Sequence, residues 1–141
     1  MFVFAIFWLL MLNRFFVRTA EPVPRSENLN DTRSQKIQIS DGKDSQWIEQ
    51  EDIFCVEAAG NYICFHTPQG QLISRSSLKQ IEEALDKTRF MRVSRSNIVN
   101  VNKIASSRRV NRSRVELVLC NDHSVTIGPT YWREIKTRLD L

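Results

Sequence analysis

The sequence predicts a compact, mainly β domain with two short helices, preceded by an N-terminal apolar helix. Short runs of alternating apolar residues, separated by turn dipeptides, recur from residue 36 onward. Two later segments repeat apolar residues at helical spacing, and residues 1–12 form an unbroken apolar run. With 42% apolar residues and only four Gly and four Pro, most of the chain can bury a core.

The N-terminal apolar run predicts a membrane-associated helix over residues 1–18. Twelve helical residues span roughly 18 Å and seventeen roughly 25 Å, against a hydrocarbon core of about 30 Å. Basic residues follow this run and none precedes it, which places the rest of the chain in the cytoplasm. We expect a short anchor in the inner membrane, or the last helix of a longer membrane region. An amphipathic or buried helix is the alternative.

Residues 19–35 are polar and contain two prolines, so they predict a linker. The folded domain is therefore expected over residues 36–141, and its strands end at turn-forming residues. Thr67–Gly70 has Pro second and Gly fourth, as a type I turn prefers. The predicted strands are Lys36–Ser40, Ile53–Ala59, Tyr62–Thr67, Gln71–Arg75, Val115–Cys120 and His123–Ile127, the last two joined by a two-residue turn at Asn121-Asp122.

Two helices are predicted inside the domain. Ser77 and Gln80 form a capping-box pair, and Leu78, Ile81 and Leu85 recur on one face of the first helix. The last helix is predicted to begin at Thr130 as N-cap, with Trp132, Ile135 and Leu139 on one face and Glu134 paired with Arg138.

Basic residues concentrate in the second half of the domain, where no Asp or Glu lies between Asp86 and Glu116. The stretch Phe90–Asn102 places Arg, Ser and Asn side chains between apolar anchors. Arg and Asn suit bidentate contacts with base edges, and Ser and Arg suit phosphates. We interpret this stretch as the centre of a nucleic-acid-binding surface; a solvated basic face without a partner is the alternative. The basic residues are Lys87, Arg89, Arg92, Arg95, Lys103, Arg108, Arg109, Arg112 and Arg114.

Nothing in the sequence predicts an enzyme, a cofactor or a metal site. The three cysteines are odd in number, and no pair has the spacing of a zinc motif. We expect buried thiols in a reducing compartment. His66 and His123 lack a neighbouring nucleophile or ligand motif, so both are interpreted as structural or solvent-exposed.

Three polar segments, each at the end of a strand, are candidates for binding. The first is Gly60-Asn61-Tyr62, for which an ordinary turn is the alternative. The second is the stretch from Phe90 to Asn102. The third is Gly128-Pro129-Thr130 with Arg133, where a helix N-terminus favours an anion such as phosphate and a simple capping loop is the alternative.

Four blocks in this order and spacing resemble a LytTR-type DNA-binding domain over residues 36–141. They are Phe54-Cys-Val-Glu-Ala-Ala-Gly-Asn-Tyr-Ile63, Ser77-Leu-Lys79, Phe90-Met-Arg-Val-Ser-Arg-Ser-Asn-Ile-Val-Asn100 and Ile127-Gly-Pro-Thr-Tyr131. The resemblance implies a compact β domain that reads double-stranded DNA through loops entering successive major grooves. It also implies two protomers on repeated sites. Many members carry an N-terminal phosphoacceptor domain, for which this chain has no room, so its input is expected to differ.

Carried over by position, the resemblance implies DNA contacts from three loops. Many members have an arginine where this chain has Pro129-Thr130, so Arg95 is expected to carry more of the specificity. Arg95 and Asn61 are predicted to read bases. The residues predicted mainly to neutralise phosphates are Arg92, Lys79, Arg108, Arg109 and Arg133. The predicted DNA-binding residues are Asn61, Tyr62, Lys79, Arg92, Ser94, Arg95, Asn97, Arg108, Arg109, Thr130 and Arg133.

The leading hypothesis is therefore a membrane-tethered, sequence-specific transcriptional regulator that acts in the cytoplasm. The alternative is a membrane-associated β-rich adaptor that binds a protein or an anionic small ligand through its basic face. In that case Arg108 and Arg112 would hold the phosphate of a cyclic dinucleotide, but the segment that PilZ-like domains have after such a pair is absent.

Overall fold

The computed structural model describes residues 35–141, which form ten strands, two α-helices and two short 3-10 helices (Gln50–Asp52 and Val101–Lys103). The predicted mainly β class is confirmed for this part of the chain. The helix expected over residues 1–18 lies outside the described residues, as does the linker apart from its last residue. The elements are β1 (Lys36–Ser40), β2 (Ser45–Glu49), β3 (Cys55–Ala59), β4 (Tyr62–Thr67), β5 (Gly70–Ser74), α1 (Leu78–Ala84), β6 (Phe90–Arg92), β7 (Asn97–Asn100), β8 (Ile104–Arg109), β9 (Val115–Leu119), β10 (Ser124–Thr126) and α2 (Trp132–Leu139).

The strands form three antiparallel sheets. The largest has the order β5-β4-β3-β7-β6, with β3 at its centre. A three-stranded sheet has the order β10-β9-β8, and β1 and β2 form a separate hairpin. None of the helices of residues 35–141 is long and apolar enough to span a membrane.

The five-stranded sheet buries a core on each face. Neighbouring residues of β3 belong to opposite cores, because successive strand side chains point to opposite faces. Val56 packs with β1, α1 and Phe65 in the first core. Cys55 packs with β9, β10 and α2 in the second core, which also contains Val99 and Ile135. Burial on both faces explains why adjacent residues are apolar in the inner strands of this sheet, as at Cys55-Val56 in β3 and Ile98-Val99 in β7.

The first helix begins as predicted, and the second does not. The Ser77 hydroxyl accepts a hydrogen bond from the Gln80 N–H (3.2 Å), and the Gln80 side chain accepts one from the Ser77 N–H (3.0 Å), which confirms the capping box. Thr130 is not the N-cap of α2. It lies exposed in a turn closed by the hydrogen bond from the Tyr131 N–H to the Gly128 carbonyl (3.0 Å), and helical residues begin after Tyr131.

The predicted two-residue turn between β9 and β10 is also wrong. Leu119 and His123 close the hairpin through the Leu119 N–H and the His123 carbonyl (2.9 Å), which leaves three residues in the loop. Asp122 has φ of 63°. Three-residue hairpins commonly end in a left-handed residue, and Asp tolerates that conformation better than most side chains.

Four strands were not predicted from the sequence. β6 and β7 lie inside the stretch Phe90–Asn102, which we interpret from the sequence only as a binding surface, and β2 and β8 are largely exposed. β2 contains Ser45, Gln46 and Trp47, all exposed, and it pairs only with β1. β8 is exposed along Ala105–Arg109 and has an irregular register between Ile104 and Ser106. Neither strand presents an alternating buried face, so its sequence lacks the periodic apolar signal from which a strand is predicted.

Candidate nucleic-acid interface

Three polar loops meet at one edge of the domain, and we call residues 60–62, 93–97 and 127–131 the loop edge. The first and second are joined through β3 and β7, since the Ala58 N–H donates to the Ser96 carbonyl (2.8 Å). The second and third are joined directly, since the Gly128 N–H donates to the Val93 carbonyl (2.8 Å). The fold therefore brings together the three segments that the sequence marked separately.

The first loop is the turn between β3 and β4. Ala59 pairs with Tyr62, so Gly60 and Asn61 alone form the turn. Gly60 has φ of 62°, which a Gly-first two-residue hairpin requires. Asn61 is exposed, and Tyr62 is 44% exposed with the Arg75 guanidinium 5.7 Å from its ring centre. Arg75 was missed from the sequence, where it follows a strand without any motif of its own.

The second loop is ordered by Arg92 and presents Arg95. The Arg92 guanidinium donates to the Ser94 carbonyl (3.2 Å), the Arg95 carbonyl (3.0 Å) and the Glu82 carboxylate (2.9 Å). Ser94 Oγ accepts hydrogen bonds from the Ser96 N–H (3.2 Å) and the Asn97 amide (3.1 Å). These contacts fix the backbone on both sides of Arg95.

Arg95 itself is exposed, and its side chain contacts no acidic or hydrogen-bonding group within residues 35–141. Arg92 and Arg95 therefore have different environments, although they are only three residues apart in the chain. One guanidinium holds the loop together, and the other extends into solvent from a fixed backbone.

The third loop is held against the second by Gly128. A Cβ placed there would lie 3.4 Å from the Ser94 Cα and 3.3 Å from the Tyr131 ring. A side chain at this position would press on the Tyr131 ring and contact the Ser94 backbone, so glycine suits this close approach of the two backbones. Pro129 and Thr130 are exposed at the tip of the loop.

The remaining predicted residues lie around the loop edge, and they differ in whether they form ion pairs within the domain. Lys79 lines a groove together with Arg92 and Tyr131, and Arg109 lines a shallow cavity together with Pro129 and Trp132. Arg133 is exposed in the first turn of α2. Lys79 and Arg109 thus each lie close to a residue of the third loop.

Arg108 is the exception, because it is paired within the domain. It donates to the Glu116 carboxylate (2.9 Å), to which Arg114 is also paired (3.2 Å). The hydrogen bond from Arg108 and the charge of Arg114 hold the pKa of Glu116 below its usual value. Arg108 therefore presents less free charge than Arg109, its neighbour on the strand.

The fold is that of a β-rich DNA-binding domain of the kind found in transcriptional regulators. Residues 45–140 match the family described as the LytTr DNA-binding domain, and the chain belongs to this family. Its members are regulatory domains rather than enzymes, in agreement with the lack of a catalytic motif.

The chain is similar to known proteins in sequence and in fold. The Sensory transduction protein LytT of Enterococcus faecalis is 26% identical over 123 residues, which are 87% of this chain and 48% of that protein. The chain thus spans about half the length of this relative. The solved LytTr DNA-binding domain of a methyl-accepting/DNA response regulator from Bacillus cereus has the same fold. The TM-score is 0.68 at 22% identity, over 75% of this chain and 97% of that one.

Proposed function

We propose that the chain is a sequence-specific transcriptional regulator whose loop edge reads double-stranded DNA in the major groove. The observation that carries this proposal is the arrangement of Arg92 and Arg95. A base-reading side chain must be free to reach the groove from a backbone whose position is fixed. Arg95 meets the first requirement, and the three hydrogen bonds of Arg92 meet the second.

The partners of Arg95 in base reading are Asn61 and Asn97. An Arg side chain makes bidentate contacts with guanine and an Asn side chain with adenine. Asn61 is exposed at the tip of the first loop, and Asn97 is half-buried beside Ser94. Lys79, Arg109 and Arg133 then contact phosphates, which orient the domain without selecting a sequence.

A selection from random duplex DNA, followed by quantitative mobility shifts, tests this function. We expect an enriched motif, and Arg95→Ala should weaken binding to it by about 1–3 kcal/mol while affinity for unrelated DNA changes less. Arg95→Lys keeps the charge but not the planar fork, so it should lose the same base preference.

Lys103→Gln is the matched control, because Lys103 lies at the other end of β8 from Arg109 and packs over the Phe54 ring (5.7 Å). It should leave the selected motif unchanged. If no motif is enriched and binding occurs only at low salt, the loop edge is a general anion-binding face. The alternative function, an adaptor at the membrane, would then be favoured.

Two finer features of the function are also proposed. Two protomers are expected on repeated half-sites, as the family resemblance implies, and band shifts on one and two half-sites would distinguish the two occupancies.

Residues 1–18 are expected to hold the domain at the inner membrane. Cell fractionation of the chain with and without these residues tests this anchor. The proposed anchor is wrong if both proteins are found in the soluble fraction.

A further inference from the structure

Both histidines of the chain and one of its three cysteines converge on a single place. Cys55 and His66 are directly opposite each other on β3 and β4, at the end of this hairpin away from Gly60 and Asn61. The His66 and His123 rings stack with their centres 4.5 Å apart and their planes at 27°. The Cys55 sulfur and one ring nitrogen from each histidine all lie within 4.8 Å of one another.

The surroundings are those of a closed site rather than of a solvent-exposed cluster. Cys55 is fully buried, His66 is 8% exposed and His123 is half-buried. Glu57 Oε2 lies 3.4 Å from His66 Nε2, and the Gln71 amide nitrogen lies 3.5 Å from His66 Nδ1. A carboxylate beside a metal-binding histidine commonly orients the ring and raises its basicity.

We propose that Cys55, His66 and His123 form a metal site that takes a borderline-soft divalent ion, for which Zn²⁺ is the best match. One thiolate and two imidazoles are a typical zinc donor set, with Zn–N of about 2.0–2.1 Å and Zn–S of about 2.3 Å. Tetrahedral angles then require ligand atoms roughly 3.3–3.6 Å apart. Binding an ion requires the two imidazole rings to rotate out of their stacked arrangement, so that a nitrogen of each ring points at the same position as the Cys55 sulfur.

The charge balance of the site is favourable. Burial raises the pKa of the Cys55 thiol to about 12, so the ion displaces a proton, which leaves to solvent as the Zn–S bond forms. The resulting thiolate and the nearby Glu57 carboxylate together balance the 2+ charge. A water molecule completes the fourth position, and Glu57 stays beside the His66 ring.

An ion in this site would join two sheets. Cys55 and His66 belong to the five-stranded sheet, whereas His123 precedes β10 of the three-stranded sheet. β10 leads directly into residues 127–131 of the loop edge. Zinc would therefore stabilise the domain and the placement of the third loop, independently of the proposed DNA function.

The test uses the tag-free full-length chain in mild detergent, since its only histidines are then the two in question. After removal of metals by a chelator, Zn²⁺ is titrated calorimetrically and melting temperature is measured with and without the ion. We expect one equivalent to bind and the melting temperature to rise. Co²⁺ should give a near-ultraviolet thiolate-to-metal charge-transfer band, and Mg²⁺ should have no effect.

Four variants decide whether these residues are the ligands. His123→Ala and Cys55→Ser should each lower zinc affinity at least tenfold, and the second should abolish the cobalt charge-transfer band. Cys64→Ser and Cys120→Ser should leave both unchanged. Because His123 lies in a half-exposed loop, its variant remains informative if Cys55→Ser does not fold. The proposal is overturned if no equivalent binds, if His123→Ala binds zinc like the wild type, or if Cys120→Ser removes the band.

Discussion

At the scale of single residues, Arg92 and Arg95 show that equal charge does not mean equal role. Arg92 donates to two carbonyls of its own loop and to Glu82, whereas Arg95 contacts solvent. We expect Arg92→Lys to lower the free energy of unfolding by about 1–3 kcal/mol and to weaken selective DNA binding, because a lysine cannot make all three contacts. Urea unfolding and mobility shifts measure the two effects. Arg109→Lys is the control and should change stability by less than about 0.5 kcal/mol. Arg92 does not order the loop if its lysine variant binds the selected DNA at wild-type affinity.

Asn100 is a second residue whose role is structural, although it lies in the stretch that the sequence assigned to binding. It is 1% exposed, donates to the Ile53 carbonyl (2.9 Å) and accepts from the Asn102 N–H (3.1 Å). Asn100→Ala leaves the Ile53 carbonyl buried without its donor, so the free energy of unfolding should fall by about 1–3 kcal/mol. The exposed side chain of Asn102 provides the comparison. Equal stability of Asn100→Ala and Asn102→Ala in urea would show that the buried bond contributes nothing.

At the scale of elements, the sequence predicts local structure well wherever a residue acts on its near neighbours. The capping box of α1 and the turn at Gly60 and Asn61 follow from residues two or three positions apart. β8 could not be predicted in this way, because its place depends on pairing with β9 rather than on a buried face of its own. The joining of the loops has the same origin, since the bond from Gly128 to Val93 connects residues far apart in the chain. Which loops meet is a property of the sheets.

Gly128 tests the contact between the second and third loops. Its φ lies outside the left-handed region, so an alanine there meets no backbone strain, only the Ser94 backbone and the Tyr131 ring. The ring can move, but the backbone of the second loop cannot do so without shifting Arg95. We expect Gly128→Ala to lower stability by about 1 kcal/mol, the low end for overpacking, and to weaken selective DNA binding.

Gly60→Ala gives the comparison, because no atom lies within 4 Å of the added Cβ and any loss of stability there reports the backbone strain of its positive φ. Thermal melts of both variants separate a steric effect from backbone strain. Wild-type stability and DNA selectivity in Gly128→Ala would mean that the two loops need not touch.

At the scale of the whole molecule, pairing within the domain decides which cations are available to DNA. Arg92 and Arg108 hold Glu82 and Glu116, whereas Arg95, Arg109 and Arg133 are exposed around the loop edge and form no ion pair within residues 35–141. The formal net charge of +4 therefore does not describe which cations are available, since it counts paired and unpaired arginines alike.

The salt dependence of binding measures this distribution of charge directly. Each phosphate contact releases counterions, so the logarithm of affinity falls with the logarithm of salt concentration by about 0.9 per contact. Arg133→Gln should reduce that slope by about one unit and weaken all DNA sequences alike. Lys103→Gln also removes one positive charge, but next to the start of β8 rather than at the loop edge. This variant should leave the slope unchanged. Equal slopes for the two variants would show that the positive field acts from the whole surface, and that the loop edge holds no privileged phosphate contacts.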